Sequence, residues 1–191
     1  MTTSPTRTAG KRERTRARLT DCALTLFEKQ GYDATTVREI AGAAGVTEMT
    51  FFRHFATKES VLLDDPYDPA IANAVAHQPP SLPPLARAVG GVREAWGRVP
   101  EPEDATVRRR VRIAAATPSL RAGVSRNNAE TERVIAEALE SGGSGVLPAR
   151  IAAAAVLAAL TTALFAWAEG EDTRLAFAIE TALATLEGSD G

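Results

Sequence analysis

A run of cationic side chains near the beginning of this sequence is the first feature that suggests a specific chemistry. Between positions 7 and 18 six basic residues accompany one acidic residue: Arg7, Lys11, Arg12, Arg14, Arg16, Arg18 and Glu13. Residues 1–60 carry ten Lys and Arg against seven Asp and Glu, whereas residues 61–191 carry twelve against seventeen. A basic end on an otherwise acidic protein favours contact with a polyanion at that end, with a solvated helix face as the alternative.

Residues typical of catalysis or metal binding are few. His54 and His77 are the two histidines, and Cys22 is the single cysteine. The sequence has no Cys/His cluster at zinc spacing, no Ser–His–Asp set and no glycine-rich phosphate loop. We therefore expect no enzymatic activity, no metal and no cofactor. Cys22 is expected to fill the core and His77 to lie at a helix end. A lone cysteine also fits a reducing, cytoplasmic setting.

The composition predicts an all-α fold. Alanine recurs throughout and hydrophobic residues make up 45% of the chain, enough for a substantial core. Turn residues and apolar spacing divide the sequence into about nine predicted helices. Their ranges are 8–30, 36–43, a short one after Thr47, one from Lys58 to Ala76 that breaks near Pro66 and Pro69, and then 83–98, 103–116, 118–140, 149–169 and 171–186.

The most informative segment covers residues 35–55, which read TTVREIAGAAGVTEMTFFRHF. Two short helices joined by a tight turn at Gly45 form the geometry that places the second helix in the major groove of DNA. Small residues, Ala41 and Ala44, allow the two helices to approach closely. Thr36 and Thr47 each begin a helix, where free N–H groups can also bind a phosphate.

The sequence around this segment resembles a known family. The residues that carry the resemblance are Leu26-Phe27, Gly31-Tyr32, Thr35-Thr36-Val37, Ile40-Ala41, Ala44-Gly45-Val46-Thr47, Phe51-Phe52-Arg53-His54-Phe55 and Lys58-Glu59. In order and spacing they are similar to the N-terminal signature of the tetracycline-repressor (TetR) family. The resemblance covers residues 12–62, and the remainder is similar to the family in being helical and of suitable length. It implies a three-helix helix-turn-helix DNA-binding domain over residues 1–60 and a ligand-sensing and dimerisation domain over residues 61–191.

The resemblance also assigns roles by position. Thr36, Thr47 and Lys58 would hold phosphates, and His54 would contact the DNA backbone. Most members of the family carry at position 52 a tyrosine that reaches a phosphate, and Phe52 lacks the hydroxyl group for this contact. The predicted DNA-contacting residues are Arg7, Lys11, Arg12, Arg14, Thr36, Thr47, Glu48, Met49, Thr50, Phe52, Arg53, His54 and Lys58.

The base-reading residues are expected to be Glu48, Met49 and Thr50, which open the second helix of the motif. Glu48 has two interpretations that the sequence leaves open. Its carboxylate could accept a hydrogen bond from a cytosine amino group, or it could only stabilise the helix N-terminus as an anion. Met49 could pack on a thymine methyl group.

The last two predicted helices are the candidates for a dimer interface. Their alanine-rich faces permit close approach, and their predicted interface residues are Leu157, Leu160, Leu164, Phe165, Phe177 and Leu183. The family resemblance implies the same four-helix bundle between two copies, and an intramolecular hairpin is the alternative. Residues 151–168 are uncharged over a length that could span a membrane. We expect them to form a helix buried by protein on nearly all sides, with no membrane contact.

A sensor pocket is expected between residues 62 and 139. Polar groups and aromatic rings on otherwise apolar helices suit a ligand site, although surface or inter-helix hydrogen bonds are the alternative. The predicted ligand-binding residues are Trp96, Arg108, Arg112, Asn127, Asn128, Glu132 and Trp167. Residues 51–69 resemble a TetR subgroup near the mycofactocin-associated regulators, which implies an acyl-thioester or lipid-like effector.

The expected function is that of a homodimeric repressor with two recognition helices one DNA turn apart on a near-palindromic operator. A small apolar or amphipathic effector would release it. The first alternative is a constitutive DNA-binding dimer with a closed core and no sensor, which an apolar cavity among the middle helices would argue against. The second is an enzyme or metabolite-binding protein that carries a helix-turn-helix, which the missing catalytic set disfavours.

Overall fold

The computed structural model describes residues 5–64, 68–98, 104–170 and 174–188, and describes no side chains for residues 5–9, 68, 69 and 104. Within these ranges all regular secondary structure is helical and there is no strand, as predicted. The elements are α1 (Pro5–Gln30), α2 (Val37–Ala43), α3 (Glu48–Phe52), α4 (Ser60–Leu63), α5 (Asp68–Ala76), α6 (Pro84–Arg98), α7 (Asp104–Ala116), a 3₁₀ turn (Pro118–Leu120), α8 (Arg121–Ser141), α9 (Val146–Glu169) and α10 (Leu175–Leu186).

The predicted fourth helix is two helices, α4 and α5, so the described part of the chain contains ten α-helices instead of about nine. Helix α4 begins at Ser60, two residues after the predicted start. A reciprocal pair of hydrogen bonds spans the turn before this helix. The Ser60 N–H donates to Thr57 Oγ1 at 3.1 Å, and the Thr57 N–H donates to Ser60 Oγ at 3.0 Å. This pattern resembles a capping box, which is consistent with the predicted role of Thr57 as the cap of this segment.

Two hydrophobic clusters form the interior. The first lies among α1–α4 and contains Leu19, Ala23, Leu24, Phe27, Ile40, Ala41, Ala44, Phe51, Phe55, Val61, Leu62 and Leu120. The second lies among α5, α6, α8, α9 and α10. Leu120 joins the first cluster from the 3₁₀ turn, far away in sequence. The N-terminal helices therefore share their core with a residue of the larger helical unit.

Polar contacts reinforce this junction on the side of α1. Arg109 of α7 donates to Glu28 Oε1 at 2.7 Å and to Asp21 Oδ1 at 2.9 Å, both on α1. The hydrogen bonds with Glu28 raise the pKa of the Arg109 guanidinium. Helix α7 is thereby held against the first helix of the N-terminal unit.

Helix α9 is long and apolar enough to cross a membrane by its length and composition. In the structure it packs against α6, α7, α8 and α10, but only 33% of its most apolar 18-residue stretch is buried inside the chain. The prediction of burial on nearly all sides is therefore wrong for the isolated chain. The apolar residues Val146, Leu147 and Ile151 near its start are exposed.

Candidate nucleic-acid interface and adjoining cavity

Hydrogen-bonded threonines begin both helices of the helix-turn-helix, as predicted. Thr36 Oγ1 accepts from the Glu39 N–H at 3.2 Å, and the Glu39 carboxylate accepts from the Thr36 N–H at 2.8 Å. Thr47 Oγ1 accepts from the Thr50 N–H at 3.2 Å. These bonds satisfy amide groups that a helix start would otherwise leave without a partner. At α2, however, the anion held by Thr36 is the Glu39 carboxylate, which a phosphate would have to displace.

The turn between α2 and α3 depends on Gly45. Its φ of 63° lies in the left-handed region that favours glycine. The chain then reverses so that the Val46 N–H donates to the Ala41 carbonyl at 2.9 Å. The buried side chains of Ile40, Ala41 and Phe51 hold the two helices together. Gly31, with a φ of 86°, ends α1 in the same way and confirms the predicted stop.

Helix α3 presents a mixed face to solvent. Glu48, Met49, Phe52 and Arg53 are exposed, whereas Phe51 points into the core. Thr50 is half-buried, and its hydroxyl lies 3.1 Å from that of Thr47. The helix has five regular residues, and its hydrogen bonding continues as far as the Phe55 N–H, which donates to Phe51 at 3.0 Å. The predicted base-reading residues therefore share one accessible surface with Phe52.

Arg16 of α1 contacts His54 and Phe55, the residues that follow α3. Its Nη1 donates to the His54 carbonyl, and its guanidinium carbon lies 4.2 Å from the centre of the Phe55 ring. Its Nη2 lies 3.3 Å from Asp64 Oδ2. Sequence reasoning placed Arg16 in the basic run but assigned it no specific partner. The contact could not be read from spacing, because 38 and 48 residues separate it from its partners.

His54 is half-buried, and its Nδ1 is enclosed without a hydrogen-bond partner. Burial lowers the pKa of the His54 imidazole, and the positive charges of Arg12 and Arg16 lower it further. The ring is therefore neutral at pH 7 and has one N–H to donate.

Lys58 occupies a different position from the one its predicted role requires. Its Nζ donates to the carbonyls of Tyr32 and Thr35, both at 2.7 Å, and lies 4.1 Å from the centre of the Tyr32 ring. Burial lowers the pKa of Lys58, and burial also raises the pKa of Tyr32 to about 12. The ammonium group is thus engaged by the protein itself, and its position gives no support to a phosphate contact.

The basic residues of α1 lie on the surface. Lys11, Arg12 and Arg14 are exposed. The backbone of Arg7 belongs to α1, but its side chain lies outside the described residues. Arg53, directly after α3, is exposed as well, and Arg12 and Arg16 lie near enough to lower the pKa of His54 in the same segment. This charge distribution suits a polyanion.

A cavity of about 260 Å³ lies among the helices of the larger unit, with lining residues from α4 to α10. Its wall is mainly aliphatic, and its polar side chains are Asp64, Arg110, Asn127, Asn128, Thr131 and Thr161. Of the predicted ligand-binding residues, Trp96, Asn127 and Asn128 line it, whereas Arg108, Arg112, Glu132 and Trp167 do not. The expected range, residues 62–139, includes the end of α4 and all of α5, but sequence reasoning named no lining residue there, because these short stretches are mainly apolar.

Arg108 and Arg112 contact the C-terminal end of α9 instead. Arg108 donates to the Trp167 carbonyl at 3.2 Å and also to the Gly170 carbonyl, and its guanidinium carbon lies 4.3 Å from the Trp167 ring centre. Arg112 donates to the carbonyls of Ala168 and Gly170. Cations at this position bind the last carbonyls of a helix and complement its dipole. The two arginines fix a helix end outside the cavity.

The predicted interface residues differ in how much of their surface is accessible. Four of them, Leu157, Leu160, Leu164 and Phe165, line the cavity. Leu160 and Leu183 are 9% and 0% exposed inside the chain, so they have almost no surface to offer a partner. Phe177 is 67% exposed, and Leu157, Leu164 and Phe165 are half-buried, so these four retain surface that a partner could contact. The error arises because α9 is apolar all round, so its sequence does not identify its inward face.

Comparison with known proteins agrees with this arrangement. Residues 19–64 match the family "Bacterial regulatory proteins, tetR family", and residues 82–190 match the "MftR C-terminal domain". The chain is 40% identical over 129 residues to the HTH-type transcriptional regulator TcmR of Streptomyces glaucescens, covering 64% of this chain and 57% of TcmR. It thus spans little more than half the length of that relative. It is 30% identical over 141 residues to MftR of Mycobacterium tuberculosis, covering 72% of this chain and 71% of MftR.

The fold is also found among solved structures. NalD, the secondary repressor of the MexAB-OprM multidrug efflux pump in Pseudomonas aeruginosa, superimposes with a TM-score of 0.59 at 24% identity, over 93% of this chain and 97% of NalD. The relatives are transcription regulators and not enzymes. The chain therefore belongs to the TetR family of bacterial regulatory proteins.

Proposed function

We propose that the chain acts in the cytoplasm as a homodimeric repressor, which a small apolar or amphipathic effector releases from a near-palindromic operator. The observation that carries this proposal is a wall shared by the cavity and the DNA-binding unit. Leu62 of α4 is 5% exposed, belongs to the core of the helix-turn-helix, and also lines the cavity. A displacement of the cavity wall would therefore alter the packing of the helix-turn-helix. Helix α4 lies at the boundary between the proposed DNA-binding domain, residues 1–60, and the proposed ligand-sensing and dimerisation domain, residues 61–191.

The DNA-contacting surface in this proposal is smaller than the predicted set. Lys11, Arg12, Arg14 and Arg53 supply positive charge for phosphates, and Thr47 marks a helix start at which a phosphate can bind. The accessible side chains of α3 face the base edges. Thr36 and Lys58 serve mainly to hold the motif together, because Glu39 and two backbone carbonyls already occupy them.

The dimer would form through the exposed faces of α9 and α10. Ile151 on α9 and Phe177 on α10 are exposed large apolar residues, and small residues such as Ala158, Thr162 and Thr181 share the exposed surface. Small residues allow helices to approach closely, and burial of apolar area stabilises association by about 25 cal/mol per Å². Leu160 and Leu183, which serve the intramolecular core, are omitted from this revised interface.

Release would follow from a shift in population between two arrangements of the dimer. An effector that fits the cavity better when α4 has moved would favour a dimer whose recognition helices no longer match successive major grooves. The aliphatic wall suits an apolar body, and the amide of Asn128, 3.4 Å from the Thr161 hydroxyl, belongs to a short polar band. The cavity is also the observation that disfavours the constitutive DNA-binding dimer with a closed core.

The test begins with an operator selected from random duplexes by the full chain. Binding of a fluorescent operator is then followed by anisotropy while compounds are added, including free fatty acids, acyl thioesters and short polar metabolites as the comparison group. The proposal expects an apolar or amphipathic compound to weaken binding at least tenfold. A DNA affinity that stays constant across this panel would favour the constitutive binder, and a monomer by light scattering would exclude the dimer.

A further inference from the structure

Helix α3 exposes two large apolar side chains side by side. Met49 is 68% exposed and Phe52 is 50% exposed, and residues three apart on a helix lie on the same face. Among the side chains described between residues 10 and 64, they are the two large hydrophobic ones that remain exposed. The Phe52 ring is held edge-on against the buried Phe51 ring, with 5.5 Å between their centres. The pair is therefore an anchored apolar surface.

The surroundings of this pair indicate what would cover it. Exposed cations on α1 and at Arg53 supply attraction for phosphates, whereas Glu48, beside Met49, repels them. Phe52 has no hydroxyl group with which to bind a phosphate. In the major groove of DNA the apolar feature of a base edge is the 5-methyl group of thymine, which makes favourable contact with apolar side chains.

Resting on the proposed DNA-binding function, we propose that Met49 and Phe52 determine operator specificity by contacting thymine methyl groups in each half-site. Burial of the two side chains against methyl groups removes apolar surface from water on both partners. We therefore expect thymine methyl groups in the major groove to cover Met49 and Phe52. The alternative that the experiment distinguishes is a second copy of the chain that covers the same two side chains.

The proposal predicts that methyl groups, as distinct from thymine itself, contribute to affinity. Uracil pairs like thymine but lacks the methyl group, so single thymine-to-uracil replacements in the selected operator probe this contact alone. At one or two positions of each half-site we expect the loss of one methyl group to weaken binding about threefold to tenfold. At the remaining thymines the replacement should leave the dissociation constant unchanged.

Variants assign the contact to the two residues. Met49→Ala and Phe52→Ala should bind the thymine operator more weakly and lose the uracil sensitivity at one position each. Met49→Leu, which preserves an apolar side chain, should retain it, and Met49→Gln should not. Leu82→Ala is the matched control, because it removes an exposed large apolar side chain outside the DNA-binding unit. Circular dichroism establishes that each variant is folded.

The outcomes separate this inference from the proposed function. If the wild-type chain binds no duplex at low salt, the DNA-binding proposal itself fails. If it binds, but uracil has no effect at any position or the same effect in Met49→Ala, Phe52→Ala and the wild type, methyl reading by this pair is overturned. A change in sedimentation of the free protein on Met49→Ala, without loss of uracil sensitivity, would instead assign the surface to self-association.

Discussion

Arg16 and Asp64 form an ion pair, with 3.3 Å between Nη2 and Oδ2, that connects the wall of the cavity to the recognition segment. Asp64 lines the cavity, and the same guanidinium donates to the His54 carbonyl and stacks on Phe55. Both partners of the pair are 44% exposed, so the bond itself adds little to stability. Its role is to hold Arg16 in the place from which it positions His54 and Phe55, the residues that follow α3.

Replacing Arg16 should therefore affect DNA binding more than folding. Arg16→Ala removes the donor to the His54 carbonyl, and we expect operator affinity to fall about tenfold while the free energy of unfolding changes by less than about 1 kcal/mol. Anisotropy and urea unfolding measure the two quantities. Arg18→Ala is the control, because it removes the same charge from an exposed position of the same helix. Equal losses in both variants would mean that only net charge matters.

A second prediction concerns the turn of the helix-turn-helix. At Gly45 an added methyl group would meet no atom within 4 Å, but the φ of 63° is unfavourable for alanine. Gly45→Ala should lower the free energy of unfolding by about 1 kcal/mol through backbone strain alone. Gly42, in helix α2, has the same open surroundings and no positive φ. Gly42→Ala should be neutral or stabilising by up to about 1 kcal/mol, and equal destabilisation by both would contradict this account.

Arg87 provides the third prediction. It is 1% exposed, and its Nη1 donates to the carbonyls of Leu139 and Gly142 and to Ser144 Oγ at 3.1–3.3 Å. The guanidinium thus binds the end of α8 and the turn into α9. Arg87→Ala should lower the free energy of unfolding by about 2–4 kcal/mol, because it removes a buried side chain together with the three hydrogen bonds that join α6 to the end of α8 and the following turn. Arg150→Ala, at an exposed position, should stay within about 0.5 kcal/mol of the wild type in the same urea titration.

The parts of the structure that could be predicted are those determined locally. The threonine caps at positions 36 and 47 and the glycine stops at 31 and 45 are encoded within a few residues of where they act, and all four are confirmed. The side of α9 that packs against the core could not be predicted, because a helix composed mainly of alanine and leucine has no polar side that would identify the solvent-facing one. Its inward face depends on helices that are distant in sequence.

Polar residues of the larger unit were misassigned for a related reason. Arg108 and Arg112 are four residues apart and therefore share one face of α7, a pattern that predicted a ligand site. Their actual acceptors are carbonyls at the end of α9, between 56 and 62 residues away. A spacing pattern identifies a polar side chain that needs a partner, but the identity of a remote partner depends on the packing of whole helices.

Replacement of Arg14 and replacement of Lys58 should have different effects on the salt dependence of operator binding. Arg14 is exposed on α1, whereas the Lys58 ammonium binds two backbone carbonyls. If Arg14 neutralises a phosphate, Arg14→Ala should flatten the slope of log K against log salt by about one unit. Lys58→Ala should leave the slope unchanged and lower the free energy of unfolding by about 1–3 kcal/mol. A slope that flattens for Lys58→Ala would restore it as a phosphate contact.

His54 should make stability depend on pH. Burial, together with Arg12 and Arg16, lowers the pKa of its imidazole in the folded chain below the ordinary value of 6.5. The unfolded chain therefore binds a proton more readily, so the stabilisation due to the neutral ring is complete above pH 6.5 and is lost as the pH falls through the folded pKa.

Between pH 7 and pH 5 we expect urea unfolding of the wild type to show a larger loss of stability than that of His54→Gln. The matched variant His77→Gln, at an exposed histidine bonded to the Asn73 carbonyl, should follow the wild type. If His54→Gln and the wild type lose stability in parallel, the neutral state of this ring contributes nothing to the fold.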